Sequence, residues 1–282
     1  MSDSDQPVTQ RIIVLVSDSC DSNAALEAAA RMAGRLGAEL QALFVEDVNL
    51  LRSAGLPFAR EIGLTSATVR PMSPEAVEQQ LRAQAERSRA LLERIAQRMN
   101  IRSSFRVSRG NVESEALGSA RPEDMLIICR ADHRRRGGSR LSDREGRIVS
   151  AAHCTVMLVG ERQPEENRAV LVLYANTARG RRSLALAASM ARDAAQPLVL
   201  LLPPGSEAEH DRLAASAREW AQTHNLQLRF RELGHVDAAA LLSALRQEEG
   251  DSLVIPRDAA ALRDPHDRLL LDEVDTPVVV VP

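Results

Sequence analysis

Seven arginines crowd one short stretch of the chain, Arg130, Arg134, Arg135, Arg136, Arg140, Arg144 and Arg147, with Asp132, Asp143 and Glu145 set among them. Guanidinium forks at this density suit an anion, a nucleic-acid phosphate or an acidic partner. Gly137, Gly138 and Ser139 inside the run give the backbone the freedom to bend around such a group. Arg134, Arg135, Arg136 and Arg140 are therefore the anion-binding candidates, and a solvated loop is the alternative reading. Other chemistry is thinly represented. All 36 basic residues are arginine, so no Schiff-base amine, P-loop lysine or kinase-type lysine is present. Cys20, Cys129 and Cys154 are dispersed, without a CxxC pair, and the six histidines show no ligand spacing. There is no GxSxG or HExxH motif. The expectation is no catalytic residue and no metal site, hence no enzyme.

The elements that position these residues have to come from an aliphatic chain. Of 282 residues 44% are hydrophobic and only 2% aromatic, so the interior is built from Ala, Leu, Val and Ile, and stacking on aromatic platforms is not a binding device. A net charge of −3 supplies no global positive field, which makes nucleic acid an unlikely partner. The odd, scattered cysteines fit a reducing compartment. With a polar start at Met1–Gln10 and no apolar run near about 20 residues, they point to the cytoplasm and no membrane span.

Periodicity alternates along the chain. Arg11–Val16 is an apolar run, and Ser22–Leu36 carries Leu26, Ala29, Ala30, Met32 and Ala33 at helical spacing before Gly37. Glu39–Val45 reads as a strand, Pro74–Met99 as a long helix and Phe105–Arg109 as a short strand. Val112–Ala120 and Ser142–Ala152 read as helices, Met125–Cys129 and Thr155–Val159 as strands. Strands alternating with helices predict an α/β fold, a mostly parallel sheet covered on both faces.

The polar stretch Gly160–Arg168 then interrupts the pattern, and the pattern restarts. Val14, Leu26, Met32 and Leu40 align without a gap on Val172, Leu184, Met190 and Leu198, and Asp124–Ile128 resembles Asp251–Ile255. An internal duplication follows. It predicts a first domain over residues 1–160, a linker at 161–168 and a second domain over 169–282. The copies differ after their second strand, where the first carries the insertion 46–73, a lid, an arm or a packing flap, and the second only Pro203-Pro204-Gly205.

The strand ending in Val16-Ser17-Asp18-Ser19, the Ala-rich helix 24–37, the strand Leu40–Val45 and the closing His153–Val159 resemble the universal stress protein family, nearly the whole chain twice over. The resemblance implies two open five-stranded parallel sheets of order 3-2-1-4-5, adenine nucleotide alpha hydrolase-like. The apolar edge strands Thr155–Val159 and Pro277–Val281 are then expected to pair antiparallel as an internal pseudo-dimer, because exposed apolar edges aggregate; a homodimer remains open. Many members bind ATP through spaced glycines whose backbone N–H groups approach the phosphates at a helix N-terminus. Here the glycine places fall on Cys129, Asp132 and Ser142, the hydroxyl place on Asp143, and in the second copy the first glycine place is Pro256, which has no N–H. The nucleotide positions that carry over are Asp18, Val45, Cys129 and Arg130. The implied strand order also makes Cys20 and Cys129 neighbours, a candidate redox pair.

The expected function is a non-catalytic stress-response protein acting through a small ligand or a protein partner. No cofactor is expected, ATP being the one the resemblance raises. The alternatives are an ATP-binding stress protein with weak hydrolysis, and an adaptor docking through the insertion 46–73.

Overall fold

The computed structural model describes residues 9–16, 22–62, 69–130, 143–160, 168–192, 197–224, 226–262 and 276–282. The first half runs β1 (Arg11–Val16), α1 (Ser22–Leu36), β2 (Glu39–Asp47), α2 (Val48–Ala54), β3 (Arg60–Ile62), β4 (Val69–Pro71), α3 (Pro74–Met99), β5 (Ser103–Gly110), α4 (Val112–Ser119), β6 (Met125–Cys129), α5 (Asp143–Ala151) and β7 (Thr155–Val159). The second half runs β8 (Ala169–Leu173), α6 (Ala178–Arg192), β9 (Leu198–Leu202), α7 (Glu207–Thr223), β10 (Leu228–Glu232), α8 (Ala238–Gln247), β11 (Gly250–Pro256) and β12 (Val278–Val281).

The strands stand in the order β10-β9-β8-β11-β12-β7-β6-β1-β2-β5. Each half thus shows the expected 3-2-1-4-5 arrangement of parallel strands, and the expected antiparallel pairing of the two edge strands joins the halves. The described strands form one ten-stranded sheet, plus the β3–β4 hairpin. The cause lies at the joint. β12 pairs antiparallel with β7, Val278 opposite Leu158, Val279 opposite Met157 and Val280 opposite Val156. All six of these side chains are buried. Two apolar edges that would template aggregation if left open close on each other instead, and each buried valine contributes about 1.5–3 kcal/mol.

Alternation along each strand divides the core in two. Ile12, Val14 and Val16 of β1 face the layer holding α1, α3 and α6. Ile13 and Leu15 face the layer of α4, α5 and α8. This period of two is what lets continuous apolar runs serve a sheet covered on both sides. Helix ends are set locally. Ser73 caps α3, accepting from the Ala76 N–H at 3.3 Å with Pro74 next in the chain. Asn100 stops it in the left-handed region at φ 51°, ψ 46°. Across the joint α1 meets α6, where Arg35 Nη1 donates to the Met190 carbonyl at 3.4 Å.

Candidate functional site

In an open parallel sheet, ligands bind beyond the carboxyl ends of the strands. Because β7 and β12 run antiparallel, the two halves present these edges on opposite sides of the molecule. Each is a separate candidate.

At the first edge Val45 is buried in the core layer shared with α4 and α5. The rim beyond it is ion-paired. Arg109 Nε donates to Glu46 at 2.8 Å, and a second nitrogen of Arg109 meets Glu78. Those contacts pull the Glu78 carboxyl below its ordinary range, the Arg109 hydrogen bond being the larger cause. Arg144 Nη2 meets Asp47 at 3.3 Å and Arg147 Nε meets Glu113 at 2.7 Å. Two members of the arginine run therefore knit α5 to β2 and α4. Asp18, Cys20, Arg134, Arg135, Arg136 and Arg140, like the linker segment 161–167, lie outside the described residues. Cys129 is buried at the end of β6. Cys154 is a free thiol, pushed up to about 11 by burial.

Arg130 follows β6 directly and is only 3% exposed. Its N–H donates to the Val159 carbonyl at 2.8 Å, and its Nη2 crosses the joint to the Thr276 carbonyl at 2.9 Å. Arg257 holds the matching place after β11. Its N–H donates to the Val281 carbonyl at 2.8 Å, one guanidinium nitrogen donates to the Ala152 carbonyl, and Nη2 donates to the Cys154 carbonyl at 3.2 Å. Burial pulls the Arg257 guanidinium below the ordinary arginine value. Each half thus sends one arginine from its own carboxyl edge to the foot of the other half's last strand. The reading of Arg130 as a nucleotide ligand did not anticipate this reciprocal clamp. A signal was present, since Asp124–Arg130 (DMLIICR) and Asp251–Arg257 (DSLVIPR) both end on arginine.

The second edge holds a cavity of about 360 Å³, walled by Asn176, Pro203, Pro204, Gly205, His210 and Leu213, with Glu209 and Arg212 at its rim. Its size is at the lower end of small-molecule sites. The polar wall is tied down on every side. Glu209 Oε2 accepts from the Ser206 N–H at 2.7 Å and the Ser206 hydroxyl at 2.9 Å, forming a capping box at the start of α7. The backbone bond is the larger cause holding the Glu209 carboxyl below its ordinary range. His210 Nε2 lies 2.9 Å from the Pro203 carbonyl, and Nδ1 lies 3.2 Å from Glu232. Sequence reading passed over this edge because its connection is short. Behind Asn176, Thr177 Oγ1 accepts from the Gly180 N–H at 3.0 Å. A Cβ at Gly180 would fall 1.8 Å from the Ala175 carbonyl oxygen, so only glycine permits this approach of α6 to β8. Among the described residues no group of three or more His, Cys, Asp or Glu is placed to hold a metal.

No family model matches the sequence, and no curated protein matches it. Solved structures do. A universal stress protein from Archaeoglobus fulgidus DSM 4304 superposes with a TM-score of 0.72 at 14% identity, over 98% of this chain and 97% of that one. The chain has the universal stress protein fold. Within that fold a protein of unknown function from Pseudomonas aeruginosa PAO1 matches with a TM-score of 0.59 at 15% identity, over 99% of this chain and 94% of that one. The cytoplasmic domain of a prokaryotic cation chloride cotransporter matches with a TM-score of 0.54 at 11% identity, over 96% and 95%. These matches cover nearly the whole chain, and so both halves. No helix among the described residues is long and apolar enough to cross a membrane.

Proposed function

We propose that the chain is a member of the universal stress protein family, a duplicated, cytoplasmic protein that takes part in a stress response by binding a small ligand or a protein partner and carries out no catalysis. The observation that supports this reading most is the fate of the residues where the fourth strand of each half ends, Cys129-Arg130 and Pro256-Arg257. A phosphate cradle begins there with free N–H groups. In this chain the N–H groups of Arg130 and Arg257 both donate to a neighbouring strand, their guanidinium groups serve the joint, and Pro256 has no N–H to give. The cavity at the second edge offers room for a ligand with a small apolar contact face, bounded by tied polar groups. A fold of this kind is not bound to one activity, as the cotransporter domain illustrates.

Two measurements on the purified full chain test the proposal. Phosphate release from ATP with magnesium is expected to equal the buffer blank. Native mass spectrometry of cell-purified protein is expected to show no adenine nucleotide. Steady phosphate release, or a co-purified triphosphate, would favour the weakly hydrolysing ATP-binding reading instead.

A further inference from the structure

The arm between β2 and α3 is anchored at its base and bare at its tip. Leu50, Leu51 and Met72 pack against the core, and Ala54 is buried within it. Asp47 caps α2 by accepting from the Asn49 N–H at 2.9 Å, and the Met72 N–H donates to the Ala59 carbonyl at 3.0 Å. Beyond this base three apolar residues among the described ones face outward, Leu56 being 46%, Phe58 75% and Val69 56% exposed. A packing flap over its own domain would have buried them. The turn that presents Leu56, Pro57 and Phe58 is closed by the Ala59 N–H on the Leu56 carbonyl at 3.0 Å.

Charge accompanies these side chains. Arg52, Arg60 and Arg70 are exposed on the same arm. In the hairpin register Arg60 lies across from Pro71, and residue 62 across from Val69, which puts Arg60 and Val69 on one face. Between residues 48 and 72 the sequence holds these three arginines against a single acid, Glu61, in a chain of net charge −3. The arm is locally positive on a molecule that is negative as a whole.

We propose that this arm is a finger that docks on an anionic phospholipid surface, with Phe58 and Leu56 entering the interface and Arg52 and Arg60 meeting the headgroups. Size decides between a bilayer and a protein. A stable protein interface, a second copy of this chain included, covers about 800 Å² per partner, which the three apolar side chains exposed on the arm among the described residues do not approach. Shallow insertion needs far less area and combines apolar burial with attraction to acidic headgroups. Burying Phe58 and Leu56 in the interface is favourable, and the positive flank complements a negative surface. The inference is independent of whether either carboxyl edge binds a ligand.

The test sediments the full chain with vesicles of phosphatidylcholine alone and of equimolar phosphatidylcholine and phosphatidylglycerol. Binding is expected to the mixed vesicles only, and to weaken as salt is raised. Leu56→Ser with Phe58→Ser is expected to abolish it while leaving the circular dichroism spectrum and melting temperature unchanged, since both side chains are exposed. Arg52→Gln and Arg60→Gln are each expected to weaken it about fivefold, the effect of one charge near an anionic surface. Equal binding to both vesicle types, none to either, or undiminished binding by the double serine variant overturns the proposal. Self-association that depends on Phe58, seen by analytical ultracentrifugation, would make a second copy the occupant and overturn it as well. So would retention of an acidic protein, dependent on Phe58, without vesicle binding.

Discussion

The two carboxyl edges are built on the same five-strand frame and end in different surfaces. At the first edge β2 continues into an arm of its own, and the rim is laced by Arg109, Arg144 and Arg147 to Glu46, Glu78, Asp47 and Glu113. At the second edge Pro203-Pro204-Gly205 turns directly toward α7 and leaves a cavity of about 360 Å³. What the halves share lies beneath both edges, in the strand order, the buried alternation and an arginine that crosses the joint. The difference teaches that the frame and the joint are common property, whereas the two surfaces diverge in the connection that follows the second strand, a loop position where variation is tolerated.

The sharpest break in this comparison is expected at a glycine in the first helix of each half. Gly180→Ala forces a Cβ onto the Ala175 carbonyl, and because backbone cannot yield as a side chain does, a loss of about 3 kcal/mol or more is expected. In α1, Gly34 is exposed and an added Cβ would meet nothing closer than Ile101 Cγ2 at 4.0 Å. Gly34→Ala should therefore stabilise by about 1 kcal/mol, the helix preference for alanine. Urea denaturation of both variants checks the contrast, and equal effects would show that the first turn of α6 and the last turn of α1 accept a Cβ alike.

The reciprocal clamp sharpens the common part. Arg257→Met removes charged donors from the Ala152 and Cys154 carbonyls, and Arg130→Met removes one from Thr276. Each is expected to cost about 1.5–3 kcal/mol. The two costs should add within about 0.5 kcal/mol, because the arginines grip separate ends of the joint. Chemical denaturation of the single and double variants measures this. A coupling well above that margin would mean the two grips act as one unit.

A pH-dependent difference of similar size comes from Cys154, a free thiol at the foot of β7. Burial raises its folded value to about 11 from the ordinary 9.0. The folded state keeps its proton while the unfolded chain loses it. Stability is therefore unaffected below about pH 9, falls as pH rises toward about 11, and levels off above. The full window is worth about 2–3 kcal/mol. Comparing the wild type with Cys154→Ala by urea denaturation between pH 8 and 11 should isolate this loss. A variant with the same alkaline decline would place its origin elsewhere.

Much of the frame was legible in the sequence because periodicity reports burial. The runs 11–16, 125–129 and 155–159 became strands with the expected bounds, and the valine-rich ends paired as their exposed apolar edges demanded. Strand order was not readable from spacing and came through the family resemblance. That one sheet runs through both halves follows from the expected pairing of those edges. The sites were less legible. Phe58 and Leu56 look like core residues in the sequence, and only their geometry shows them facing water. Arg130 looks like a phosphate ligand beside six other arginines, but a guanidinium at a strand end can equally satisfy carbonyls across a joint, and spacing cannot tell these apart. The cavity at the second edge is shaped by main-chain turns at Pro203–Gly205, which carry no side-chain signature.

The account stands or falls on the edges binding without a triphosphate cradle. Equilibrium dialysis of the full chain against labelled ATP with magnesium addresses that directly. The predicted result is no retention at micromolar nucleotide, with the label equal on both sides of the membrane. Saturable, submicromolar retention at one or two sites per chain would contradict it.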